Sequence, residues 1–174
     1  MSTPQTTEIA GVVFNRSLAM DGQALTLNGA GLRSLLMVKV YVAALYVPQP
    51  SRRAEDILAA GGPLAIELVM KRSVGVDTIL DNFHGTLRDN VSAAEWAQLA
   101  PAIAGLDAAI HAVKQTREGD RLRLEFTADG DTRIVFNNQL LQTVTGGGLA
   151  AAMPQIWLGK KPAQESVKKG MLGG

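Results

Sequence analysis

The chain has no cysteine. One absence removes a disulfide framework, a thiolate metal site and a thiol nucleophile, and it is compatible with any compartment. Histidine is nearly missing as well: His84 and His111 stand far apart, without the spacings that zinc sites use. No run of about 18 apolar residues is present to span a bilayer. Charge of one sign is not in excess either, with 17 basic and 16 acidic residues and no basic block. That argues against an electrostatic nucleic-acid binder, which clustered Lys and Arg on phosphates would drive. Gly146-Gly147-Gly148 is no phosphate loop, because neither Lys-Ser nor Lys-Thr follows it. Met1 to Thr7 is polar rather than basic and then apolar, so it reads as a flexible tail and not as a leader.

What remains is an ordinary globular chain. Apolar residues are 47% of it and charged residues 19%, which excludes a disordered sequence. At 174 residues it is one domain, here placed at 8–174 behind a tail at 1–7, and folding buries about two-thirds of its unfolded surface.

Residues 8–14 read as a first strand, and Asp21-Gly22 as a turn that pairs 24–27 back on it. Ser51 is a candidate N-cap for a short helix over 52–60, which Gly61-Gly62 stops. Residues 64–70 alternate as a strand. From Val76 the period changes, and Val76, Ile79, Leu80, Phe83 and Leu87 make one helical stripe. Ser92 and Glu95 form a capping box for a second helix that Pro101 is expected to kink or split. Residues 121–128 and 132–137 alternate around Asp129-Gly130-Asp131 as a hairpin, and 139–145 adds a last strand. An apolar helix follows through Leu149, Met153, Ile156 and Trp157 to Gly159, and Pro162 opens a final short helix. Strands and helices in this order, without a repeating βαβ unit, predict an α+β fold: a mainly antiparallel sheet with a layer of helices on one face.

The segment with the most chemical content is Gly29-Ala30-Gly31-Leu32-Arg33 and the apolar run behind it to Val47. It reads as a glycine-set turn that delivers one arginine to the mouth of a long core strand. With side chains alternating along a regular strand, Arg33, Leu35, Met37, Lys39, Tyr41, Ala43 and Leu45 share one face. That face offers a cation, a second cation, a phenol and then only apolar surface, as an amphipathic acid would require. Each residue has a plainer reading too. Arg33 can be a surface residue or the partner of Glu67 or Asp81, Lys39 can snorkel to an edge, and Tyr41 can be core. Asn82 and His84 can be solvated helix positions.

The same stretch resembles the chalcone isomerase family, whose members place an arginine after a Gly-x-Gly turn and follow it with a long strand. The end of the apolar helix, Ile156-Trp157-Leu158-Gly159, and the tail from Ser166 to Leu172 resemble that family as well. The resemblance implies an open-faced sandwich of sheet and helices. In catalytic members an arginine holds an anionic oxygen, a threonine and a tyrosine organise a water, and an asparagine with a Ser or Thr grips the far ring. Carried over, these fall on Arg33, Tyr41, Gly75, Asn82 and Ile156. Gly75 and Ile156 have no hydroxyl to order a water, so no catalytic residue is assigned. Non-catalytic members bind fatty acids with the matching arginine on the carboxylate. The resemblance therefore implies non-catalytic binding of a fatty acid or similar apolar carboxylate, with Arg33, Tyr41, Lys39 and Asn82 as ligand contacts. It also implies a periplasmic home. Two alternatives stay open: a haem-binding protein using the same cleft, with His84 as the possible iron ligand and haem the one cofactor considered, and an isomerase acting on a chalcone-like enone.

Overall fold

A computed structural model describes residues 5–174. In chain order the elements are β1 (Thr6–Ile9), β2 (Val12–Asn15), β3 (Ser17–Met20), β4 (Gln23–Leu35), β5 (Val38–Val47), α1 (Ala54–Ala60), β6 (Leu64–Met70), β7 (Val74–Gly75), α2 (Val76–Asn90), α3 (Ala93–His111), β8 (Gln115–Thr116), β9 (Arg121–Phe126), β10 (Thr132–Phe136), β11 (Gln139–Val144), α4 (Leu149–Ala152), α5 (Gln155–Leu158) and α6 (Glu165–Met171). Seven strands form one antiparallel sheet in the order β11-β10-β9-β6-β5-β4-β3. The expected α+β architecture is present. The tail placed at 1–7 overlaps β1, which begins at Thr6, and residues 1–4 lie outside the described residues.

Two apolar layers flank the sheet. On one face Tyr41, Ala43, Leu45 and Val47 of β5 pack with Ile66, Leu68, Met70, Leu122 and Leu124 under the helices. On the other, Val42, Ala44 and Tyr46 pack with Phe14, Met20 and Leu25 from the first strands. The helices dock because their stripes are apolar. Val76, Ile79, Leu80, Phe83 and Leu87 are all buried along α2, and the Ser92–Glu95 capping box opens α3 as its sequence predicts.

Several local expectations are corrected. Residues 8–14 are not one strand: β1 and β2 form their own hairpin around Ala10-Gly11, and Asp21-Gly22 joins β3 to β4. Pro101 sits inside an unbroken α3. The apolar helix before Gly159 is instead two short ones, α4 and α5, separated at Met153-Pro154 because proline fits the start of a helix better than its interior. Gly29-Ala30-Gly31 is not a turn but the middle of β4. These glycines serve close approach: a Cβ on Gly31 would lie 2.7 Å from the Val167 backbone, so only glycine lets α6 settle against the strand. Asn28 is the extra residue of a β-bulge there, and its side chain donates to the Met171 and Ser51 carbonyls at 2.7 and 2.9 Å.

Candidate functional site

The segment expected as one long strand from Ser34 to Val47 is folded back on itself. A two-residue turn at Leu36-Met37 ends β4 and starts β5, so the single-face alignment of Arg33 through Leu45 does not exist. Pairing brings the key residues together instead: Arg33 of β4 lies directly opposite Tyr41 of β5. The register shifts beside this pair, where Arg33 faces Tyr41 but Ser34 already faces Lys39. Val40 is thus the extra residue of a second bulge. It reverses the alternation, so Val38 and Val40 face the same side as Tyr41, and Lys39 between them is exposed and points away.

Between this hairpin, β6 and α2 lies a cavity of about 410 Å³. Its floor is Leu68, Met70 and Tyr41, its far wall Ile156 and Ala163, and its roof Ile79, Asn82 and Phe83 of α2. The loop after β6 closes one side with Arg72, Ser73 and Val74, held by pairing of β7 with β8 and by a bond from Thr116 Oγ1 to the Val74 carbonyl at 2.7 Å. The volume lies in the range of small-molecule sites, and the lining is mostly apolar with few polar groups, the usual composition of such sites. No lining residue is acidic.

Arg33 is partly buried, and one of its guanidinium nitrogens donates to the Ala163 carbonyl at 2.6 Å. Next to it the Ser34 amide donates to Gln164 Oε1 at 3.1 Å, which ties the strand to the chain before α6. A guanidinium carries five N–H donors, and among the described residues no carboxylate pairs with this one. Neither acidic partner considered for it is engaged with it: Glu67 pairs with Arg121 and Arg123, and Asp81 makes no ion pair among the described residues.

Tyr41 is buried, and its hydroxyl oxygen accepts a bond from Trp157 Nε1 at 3.1 Å. Burial pushes the phenol above its ordinary value, opposed by the Trp157 bond and the Arg33 charge. It is therefore a neutral phenol at neutral pH whose proton has no acceptor among the described residues. Trp157 is itself held edge-on to Phe83, with ring centroids 5.4 Å apart, and is buried behind the lining rather than in the cavity.

The chain matches, over residues 6–173, a family model described as chalcone isomerase-like. The chain belongs to the chalcone isomerase-like family. Among solved structures it is similar to the Arabidopsis thaliana fatty-acid binding protein AtFAP1, with 13% sequence identity over 96% of this chain and 95% of that one and a TM-score of 0.77. At that identity the likeness carries the fold. No curated protein sequence matches the chain.

Within that family frame, all five positions carried over from the catalytic pattern, Arg33, Tyr41, Gly75, Asn82 and Ile156, border this one cavity. Lys39 does not. Asn82 is exposed at its rim. His84 is outside it, on the α3 side of α2, where Nε2 lies 2.8 Å from an Asp107 carboxylate oxygen and the ring meets Trp96 edge-on. His111 closes α3, 3.5 Å from Asp77. No group of three or more metal-ligating side chains occurs among the described residues. Sequence reasoning passed over Arg72, Ser73 and Thr78, which sit exposed at the cavity rim. The one signal for them was the Lys71-Arg72 pair right after a strand end, where charged residues of a loop are most easily taken for solvated surface.

Proposed function

We propose that the chain binds a fatty acid, or a comparable apolar carboxylate, without turning it over. The observation that carries this reading is the Arg33 guanidinium: it is anchored at an apolar cavity by one carbonyl and lacks a carboxylate partner. A ligand carboxylate would accept the remaining N–H donors, and the neutral Tyr41 hydroxyl would donate to the same oxygens. A charge-assisted bond of this kind contributes about 1.5 to 3 kcal/mol. The hydrocarbon chain adds roughly 25 cal/mol for each Å² of apolar surface it buries against residues such as Leu68, Met70 and Phe83. Beside the arginine and the one hydroxyl at Tyr41, enone isomerisation in the family pattern uses further hydroxyls to order a water and manage a proton. Gly75 and Ile156 offer none, and Ser73 and Thr78 lie at the exposed rim.

The test is a titration of delipidated protein with oleate and with oleyl alcohol, which differ at the headgroup. Arg33→Gln is expected to weaken oleate at least tenfold and to leave the alcohol unchanged. Equal oleate affinity in parent and variant would remove Arg33 from the site. Turnover of a chalcone, followed by absorbance, would replace binding by catalysis.

A further inference from the structure

Four hairpins of this chain turn in only two residues: Ala10-Gly11, Asp21-Gly22, Leu36-Met37 and Asn137-Asn138. Such turns hold both residues at positive φ, which suits Gly, Asn and Asp. Three of the four turns contain those residue types. The exception is Leu36-Met37, with φ of 47° and 69°. The same two side chains are the most exposed large apolar ones among the described residues, Leu36 at 98% and Met37 at 97%. Leu35 and Val38 on either side are also exposed, which makes a continuous four-residue apolar cap. Val13 and Leu140, the remaining exposed large apolar side chains among the described residues, are not adjacent to another in sequence. At this one tip an unfavourable backbone, held by the pairing of β4 with β5, coincides with an unfavourable hydration that no contact among the described residues offsets.

Lys39 follows the cap, Arg33 lies behind it, and Lys71 and Arg72 stand on the neighbouring loop, where Lys71 N bonds the Val40 carbonyl. No Asp or Glu occurs from Gly22 to Ala54 or from Met70 to Val76, and the acids nearest this loop are Glu118 and Asp120, on the turn whose backbone bonds Met70. A convex tip of four apolar side chains is too small for a stable protein interface, which takes about 800 Å² on each partner. Docking onto a second copy would set these cations against one another. A bilayer surface with anionic headgroups needs no matching shape, takes apolar side chains at the acyl boundary and takes Lys and Arg among its phosphates.

We propose that the Leu35–Val38 tip inserts into the interfacial layer of an anionic lipid membrane. No helix among the described residues is long and apolar enough to cross one, so the contact is superficial. Leu35, Leu36 and Val38 also form one lip of the cavity. Insertion thus opens the cavity onto the acyl layer, and an apolar carboxylate moves between the two without crossing bulk water. That last step rests on the fatty-acid reading; the docking does not.

The experiment is cosedimentation of the full chain with vesicles of phosphatidylcholine, with and without phosphatidylglycerol. The parent is expected to pellet with the anionic vesicles. Leu36→Asn/Met37→Gly, which gives the turn residues that its backbone favours, is expected to keep its fold and to lose vesicle affinity at least tenfold. Lys39→Gln is expected to reduce binding to anionic vesicles about fivefold. Because the chain lacks cysteine, a Met37→Cys variant carries a single environment-sensitive fluorophore, and its emission is expected to shift to the blue on vesicles. Equal vesicle affinity in the parent and the Asn-Gly variant, or a parent that ignores vesicles, overturns the proposal. So does a parent that ignores vesicles but dimerises through the tip in sedimentation velocity. Oleate binding in vesicle-free buffer is read separately. A protein that pellets but takes no oleate upholds the docking and ends the fatty-acid reading; one that takes oleate but ignores vesicles does the opposite.

Discussion

The two faces of the seven-stranded sheet handle positive charge in opposite ways. On the face away from the helices, Arg121, Arg123 and Arg133 meet Glu67, Glu125 and Asp21 at 2.8 to 3.3 Å. Arg121 also lies over the Phe14 ring, 5.6 Å from its centroid. Three guanidiniums face three carboxylates, and the network closes on itself. Under the helices Arg33 stands beside apolar side chains with one carbonyl and no carboxylate. A neutralised arginine stabilises the fold, whereas Arg33 is fixed without being neutralised among the described residues. Neighbouring acids, more than burial or strand position, separate the two uses.

The strongest way to break this contrast is to strip the network of its most central carboxylate. Glu67→Gln leaves Arg121 and Arg123 facing a neutral amide in a largely buried place, and it is expected to cost about 3 kcal/mol of stability in urea unfolding. Its oleate affinity per folded molecule is expected to stay at the parent value, because Glu67 lies on the opposite face from the cavity. Arg33→Gln is the mirror image. Its loss appears in ligand affinity, about 2 kcal/mol, while its unfolding midpoint without ligand is expected to remain near that of the parent. A large stability loss here would make Arg33 a structural residue like the other three.

Tyr41→Phe tests a group that serves both purposes. It leaves the Trp157 indole N–H without an acceptor in a buried site, which is expected to cost about 1 to 2 kcal/mol of stability, and it weakens oleate about fivefold. Raised phenol values also set a pH dependence. The unfolded tyrosine ionises near its ordinary 10.0, whereas burial keeps folded Tyr41 and Tyr46 neutral beyond it. Their contribution is complete below that pH and declines as pH rises toward the folded values. Alkaline unfolding is therefore expected to be less steep in Tyr41→Phe than in the parent. The smallest effect is at Asp21, whose carboxyl the Arg133 hydrogen bond holds below the usual range. Its contribution is present at neutral pH and lost as pH falls through that lowered value. Because the group is exposed, Asp21→Asn is expected to match the parent once salt is raised.

The two long helices and the β9–β10 hairpin were legible because period and capping are local, whereas β3 at the sheet edge and the β1–β2 hairpin were not. The Val76–Leu87 stripe and the Ser92–Glu95 box carry their structure within a few residues. The site was legible only in its residue types. Arg33 and Tyr41 were singled out for a shared face along one strand, and they do meet, but through a hairpin that contains neither Gly nor Asn to announce it. Leu36-Met37 looks like strand by propensity, and its turn is imposed by the pairing on either side. The two β4 bulges, at Asn28 and opposite Val40, were equally silent, since a bulge is a relation between two strands. The bulge at Val40 is why Lys39 faces away from the cavity that it was expected to line. The glycines of β4 were read as a turn because their partner, the backbone of α6, lies far along the chain.

The bond from Arg33 to the Ala163 carbonyl joins residues 130 positions apart. The seat of this guanidinium is thus assembled from the first fifth of the chain and the last. During synthesis Arg33 emerges long before Ala163 and the α6 backbone that packs on Gly31, so the cavity wall they complete is the last part of the sandwich to be made.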